Sequence, residues 1–182
     1  YAKPQSQTFI AEAGNIRIIT LTYNTTIVTI NVTSNHPELL SNKVDVKLSG
    51  YVTKTLSGNR TYTVKIPTGA QYTIEGTEVS VFSSPNFRKW VTPDSITSTA
   101  NGVAEEKTLM YRGAKLKIKL AKDISGLADV YVYSNTVPKE SSYTLVTRDT
   151  DENTFVLPTT ETWTIEPRSV AGYITPEIQT IQ

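Results

Sequence analysis

Few residues in this 182-residue chain have the type and spacing to do chemistry. The one histidine, His36, precedes Pro37 and has no second histidine or cysteine with which to hold a metal. A nucleophilic triad would need a serine and a carboxylate brought to it by the fold, and no motif marks either. The chain has no cysteine, which excludes disulfides, thiolate zinc sites and cysteine nucleophiles. Asp149-Thr150-Asp151-Glu152-Asn153 opens like an oxygen-ligand calcium loop, yet Thr154 stands where such a loop needs Gly and Thr160 where it needs Glu. A plain acidic hairpin turn accounts for the same residues, and Asp123 and Asp129 flank another loop. Asn24, Asn31 and Asn59 head N-x-T triplets, which threonine-rich sequence produces by chance. These residues predict no catalytic, cofactor-binding or metal-binding role and no enzyme.

A second group has the chemistry of contact. Phe87, Arg88, Lys89 and Trp90 place two aromatic rings and two cations in four consecutive positions, in a stretch expected to be a loop. Trp and Arg are the usual anchors of protein interfaces, and a Trp ring beside polar groups can stack on a sugar. The four residues are therefore candidates for a glycan or host-receptor contact. The competing expectation is that Phe87 and Trp90 cap one end of the fold.

The elements that must carry these residues are strands. Thr, Val, Ile and Tyr make up 70 of the 182 residues, and these types suit a pleated, half-buried surface. Apolar residues alternate with polar ones in Thr26–Val32, Lys43–Leu48, Thr61–Ile66 and Lys115–Leu120. That period of two predicts antiparallel sheets with one wet face and one core face. Turn signals recur at Ser57-Gly58-Asn59, Pro67-Thr68-Gly69, Asn101-Gly102 and the acidic stretch from Asp149, a spacing that fits a sandwich. Only His36–Leu40 could form a helical turn, and it is too short to stand as a helix. Lys plus Arg total 18 against 17 for Asp plus Glu, so no electrostatic footprint for nucleic acid exists. No apolar run reaches the length of a membrane span.

The chain also matches itself. Ile66-Pro67-Thr68-Gly69-Ala70-Gln71-Tyr72-Thr73-Ile74 returns as Leu157-Pro158-Thr159-Thr160-Glu161-Thr162-Trp163-Thr164-Ile165, and Val28–Val32 returns as Leu116–Leu120. Tyr1–Thr8 matches Tyr173–Thr180, and Ile18–Tyr23 matches Glu106–Tyr111. Such self-similarity marks repeat units. It predicts tail strands of a preceding unit, or a donor segment, in residues 1–23, a whole unit in 24–112, and a second unit in 113–182 lacking its last strands. The first unit carries an insert around Asn86–Pro93. A unit short of a strand exposes an edge that templates pairing. Either the chain continues into further repeats, or Arg17, Ile18, Ile19, Leu21 and Tyr23 complete a neighbouring subunit by strand addition and build a head-to-tail fibre. Residues 173–182 duplicate 1–10, so a donor would supply mainly the later strand.

The central run, Thr53 to Ile74 with its Ser57-Gly58-Asn59 and Ile66-Pro67-Thr68-Gly69 turns, resembles the Cna-B-type and transthyretin-like repeats of bacterial surface proteins. It is still more similar to the tandem immunoglobulin-like repeats of gut Bacteroides surface proteins and of virion proteins in their tailed phages. The resemblance implies an all-β fold of tandem antiparallel, immunoglobulin-like β-sandwich units. It also implies a fibre, stalk or virion role at a cell surface or virion, with partners in copies of itself, in neighbouring repeats or in a host-surface glycan. The second unit departs from the pattern at Thr160, where the first has Gly69, and at Glu140-Ser141-Ser142. Some Cna-B-type repeats carry a Lys–Asn isopeptide bond, but Lys43, Lys47, Lys115, Lys117 and Lys119 fall on outward positions.

Overall fold

The burial of the chain follows its alternation. In β1 (Thr25–Ser34) the side chains of Thr26, Val28, Ile30, Val32 and Ser34 are buried, while the residues between them are exposed or half-buried. The computed structural model describes residues 4, 6–10, 13–14, 16, 18–83, 86–118, 127–139, 143–147 and 153–182. Arg17, Lys119, Asp123, Glu140-Ser141-Ser142 and the acidic turn over 148–152 lie outside them, as do the strand side chains at 82–83, 86–87, 127–129, 143–147 and 153. The described elements are all strands: β1, β2 (Val46–Gly50), β3 (Lys54–Leu56), β4 (Thr61–Pro67), β5 (Gln71–Gly76), β6 (Ser80–Ser83), β7 (Asn86–Lys89), β8 (Ile96–Thr99), β9 (Glu105–Tyr111), β10 (Ala114–Ile118), β11 (Leu127–Tyr133), β12 (Tyr143–Thr147), β13 (Asn153–Leu157), β14 (Trp163–Pro167) and β15 (Gln179–Ile181). His36–Leu40 is a turn closed by the Leu39 N–H on the His36 carbonyl at 3.0 Å, not a helix. No helix long and apolar enough to cross a membrane exists among the described residues.

Two compact units emerge, each assembled from separated stretches of chain. The first takes residues 1–32, 42–76 and 94–109; the second takes 33–41, 77–93 and 110–182. The contact boundary therefore differs from a cut at residue 112, because the insert and the 33–41 turn belong with the second unit.

The first unit holds a three-stranded sheet, β4-β1-β9, and a four-stranded sheet, β3-β2-β5-β8. Val28, Ile30, Val46, Leu48, Ile66, Tyr72, Ile74 and Leu109 are all buried. Each such side chain contributes about 1.5–3 kcal/mol when removed from water. Gly50 shows how closely β2 and β5 approach: its φ is 105°, and a Cβ there would lie 2.5 Å from the Gln71 carbonyl oxygen. A residue other than glycine fits neither the dihedral nor the space.

The second unit holds the sheets β10-β13-β7-β6 and β12-β11-β14-β15. Its core is Val130, Val132, Val137, Phe155, Leu157 and Trp163, with Leu116, Ile118, Ile165 and Ile181 packed against it and only partly buried.

The strand pairings of the two units correspond residue by residue. In β1–β4, Thr26 faces Ile66, Val28 faces Val64 and Ile30 faces Tyr62. In β10–β13, the repeat counterparts pair in the same way: Ala114 with Leu157, Leu116 with Phe155 and Ile118 with Asn153. Leu48–Ile74 and Val46–Gly76 in β2–β5 are answered by Val132–Ile165 and Val130–Pro167 in β11–β14. Tyr72–Ser98 in β5–β8 is answered by Trp163–Ile181 in β14–β15. The turn at Thr159-Thr160 is kept although the first unit uses Gly69 there. Among the described residues, β9 of the first unit has no answer in the second, and the β6–β7 hairpin of the second has none in the first.

Candidate functional site

Edges decide what a sheet can pair with, so the neighbours of β1 and β10 matter most. β1 lies between β4 and β9. The Asn31 side-chain amide donates to the Glu106 carboxylate, and the Asn35 N–H donates to the Tyr111 carbonyl at 3.2 Å. Both partners advance together, so β9 runs in the same direction as β1. Under β9, Val28 and Ile30 are fully enclosed. β10 has β13 on one side and, among the described residues, no strand on the other. Leu116 and Ile118, the counterparts of Val28 and Ile30, are only partly buried.

The uncovered side chains line a groove of about 260 Å³. Leu116 and Ile118 come from β10, Val130 from β11, Ile165 and Pro167 from β14, and the segment 176–179 leading into β15 lines it as well. In the first unit, the inward residues of the strand beside β1 are Glu105, Lys107 and Leu109, of which Leu109 is fully buried. The Tyr72 hydroxyl donates to Glu105 Oε2 at 2.8 Å, and the Lys107 ammonium sits 2.9 Å from the same oxygen. That ammonium, with the Tyr72 hydroxyl as a further donor, holds the Glu105 carboxyl below the ordinary carboxylate range. Tyr111 closes the strand in the second unit, its hydroxyl donating to the Thr77 carbonyl at 2.6 Å; burial pushes the phenol up to about 12.

Ile18, Ile19, Leu21 and Tyr23 lie in no strand and are exposed, Ile18 at 87%, Leu21 at 55% and Tyr23 at 52%. Arg17 is outside the described residues. The segment matched to β9 by sequence is thus an apolar, solvent-facing stretch.

The Phe87–Trp90 stretch is placed differently from the loop expected of it. β6 and β7 form an antiparallel hairpin, and β7 joins the second unit's sheet beside β13, with Arg88 facing Val156. Trp90 is 2% exposed. Its N–H donates to the Val79 carbonyl at 3.1 Å, and the next amide, Val91, donates to the Arg112 carbonyl at 2.8 Å. The ring lies against Gly113, where a Cβ would come within 3.3 Å of the indole and 2.4 Å of Val156 Cγ1. The Trp90 ring is buried against Gly113 and presents no face to solvent, which is the geometry of the capping expectation rather than of a surface anchor. Arg88 donates to the Leu39 carbonyl at 3.0 Å. Lys89 pairs with Glu161 at 3.6 Å and donates to Thr136 at 2.9 Å. Glu161 also accepts from Ser134 and Thr136, which with Lys89 outweigh its desolvation and keep its carboxyl low. The Phe87 side chain lies outside the described residues. Sequence reasoning left this inward orientation as one of two expectations, because the covering residues, Gly113 and Val156, are distant in the chain.

Lys47, Lys115 and Lys117 are exposed on their strands, and Lys43 is exposed in the segment before β2. Lys115 reaches Glu38 at 3.5 Å. No group of three metal-ligating side chains occurs among the described residues.

No family model matches the chain, and no curated protein does. Among solved structures the chain is similar to shaft pilin SpaA from Lactobacillus rhamnosus GG, at a TM-score of 0.40 and 10% identity over 87% of this chain and 93% of that one. It is similar to the Bacillus anthracis TIE protein at a TM-score of 0.38 and 12% identity, over 87% of this chain and 31% of that one. A candidate carbohydrate-binding protein from Bacteroides uniformis is similar at a TM-score of 0.36 and 10% identity, over 86% of this chain and 98% of that one.

Proposed function

We propose that this chain is a non-enzymatic structural module of an extracellular fibre, stalk or virion appendage. In this reading it is built of tandem immunoglobulin-like β-sandwich units that join when a β9-type strand fills the open edge of β10. The strand comes from the next repeat of a longer chain or from residues 1–23 of a neighbouring copy. One observation carries the reading: β10 ends its sheet at the position where its counterpart β1 is covered by β9. Pairing there satisfies a row of edge amides and carbonyls and encloses Leu116 and Ile118, and the two gains act together. Each added unit then rests on its neighbour, so stability comes from nearest-neighbour interfaces, as in other linear arrays.

The test adds the strand in cis. Residues 173–182 match 1–10, so residues 11–23 are appended after Gln182. Enclosing two or three large apolar side chains is worth a few kcal/mol, which raises Tm by roughly 5–10 °C in a chain of this size. An unchanged Tm would remove the basis of the reading.

A further inference from the structure

We infer that Asn101 is a site of spontaneous deamidation and that the buried Thr26 hydroxyl is the latch that keeps it unmodified in the folded chain. The inference is independent of the strand-filling role.

The chemistry comes from the Asn101-Gly102 link, since each of the other nine asparagines precedes a larger residue. In such a link the Gly102 nitrogen attacks Asn101 Cγ. The Cγ–Nδ2 bond breaks, and ammonia leaves with the proton shed by the Gly102 amide. Water then opens the succinimide, and residue 101 becomes aspartate or isoaspartate. With no Cβ, Gly102 leaves its nitrogen unshielded and its backbone free to take up the ring.

The structure treats the two reacting atoms differently. Asn101, Gly102 and Val103 are exposed in the turn between β8 and β9. The Val103 N–H donates to Asn101 Oδ1 at 2.8 Å, which draws electrons from Cγ and makes it the better electrophile. The nucleophile is restrained instead: the Gly102 N–H donates to Thr26 Oγ1 at 2.7 Å. Carrying the Gly102 nitrogen onto Cγ turns the peptide plane between residues 101 and 102 and takes its N–H off Thr26. Thr26 is fully buried on β1, so breaking that bond leaves its hydroxyl without water to replace the donor. The fold itself does not require a hydroxyl there. Thr26 faces Ile66 in β1–β4, and the residue in the same place in the second unit is Ala114, facing Leu157. The Asn101 N–H also supports the Glu105 carboxylate, so deamidation would set a second negative charge beside Glu105 at the entrance to β9.

The test holds the full chain at mildly alkaline pH, below its unfolding temperature, and follows residue 101 by mass spectrometry of proteolytic peptides. A free peptide of residues 97–106 supplies the unlatched rate. The parent should deamidate at least tenfold more slowly than the peptide. Thr26→Val should speed the parent's reaction by roughly tenfold, the factor that a lost hydrogen bond of this kind is worth in a barrier. Thr26→Ser keeps the acceptor and should stay within about threefold of the parent. Ile30→Val loosens the same strand without touching the latch and should do the same. A parent that reacts at the peptide's rate, a Thr26→Val chain that reacts at the parent's, or an Ile30→Val chain accelerated as much as Thr26→Val would overturn the inference. Should Thr26→Val fail to fold, the parent's Gly102 amide decides. Its hydrogen exchange should be at least tenfold slower than in the free peptide, and exchange at the peptide's rate would overturn the latch.

Discussion

Trp90 shows how a residue's role turns on what covers it. Its ring is packed where Gly113 leaves no Cβ, and its backbone is tied to Val79. Trp90→Ala removes a large buried side chain and leaves a cavity beside Val156, so it should cost about 3–5 kcal/mol in denaturant unfolding. A variant as stable as the parent would return Trp90 to the list of surface candidates. Glu105 carries the clearest pH dependence. Its carboxyl is held low chiefly by Lys107 and also by Tyr72, so its contribution is fully present above about pH 4.5 and disappears as pH falls through the lowered folded value. Glu105→Gln should therefore be less stable than the parent near neutrality, and the two unfolding curves should converge below pH 4. A gap that stays constant through that range would contradict the pairing.

At the level of elements, the alternating strands were legible because each presents one wet and one buried face, and a period of two encodes that directly. Val28, Ile30, Val46 and Leu48 all fall inside as their spacing requires. The β6–β7 hairpin was legible only as extra length. Asn86-Phe87-Arg88-Lys89 has no period of two, and its place in the sheet depends on Val156, some seventy residues away. The missing answer to β9 could be read from the repeat, but the groove beside β10 could not, because its walls come from β10, β11, β14 and the 176–179 segment together. The hairpin is pinned laterally by Lys89 on Glu161 and Thr136. Lys89→Ala should speed amide exchange in β7 while changing global stability by less than about 1 kcal/mol, since the pair is partly exposed. Exchange in β7 identical to the parent's would show that the Lys89 contacts do not pin the hairpin.

For the whole molecule, the two units share strand pairings and register, and they differ in whether the first strand of each is covered on its outer side. In the reading proposed above, that difference is what makes the pair of β-sandwich units a joining module, with residues 1–23 of a neighbouring copy or a following repeat as the complementary part. The direct measurement is residue-resolved hydrogen exchange of the outward-pointing amides of β1 and β10, with and without residues 11–23 appended after Gln182. In dilute parent chain, β10 should exchange at least tenfold faster than β1, and the appended strand should bring β10 to the protection of β1. A β10 edge already as protected as β1 in the dilute parent, or one left fast by the appended strand, would contradict the account.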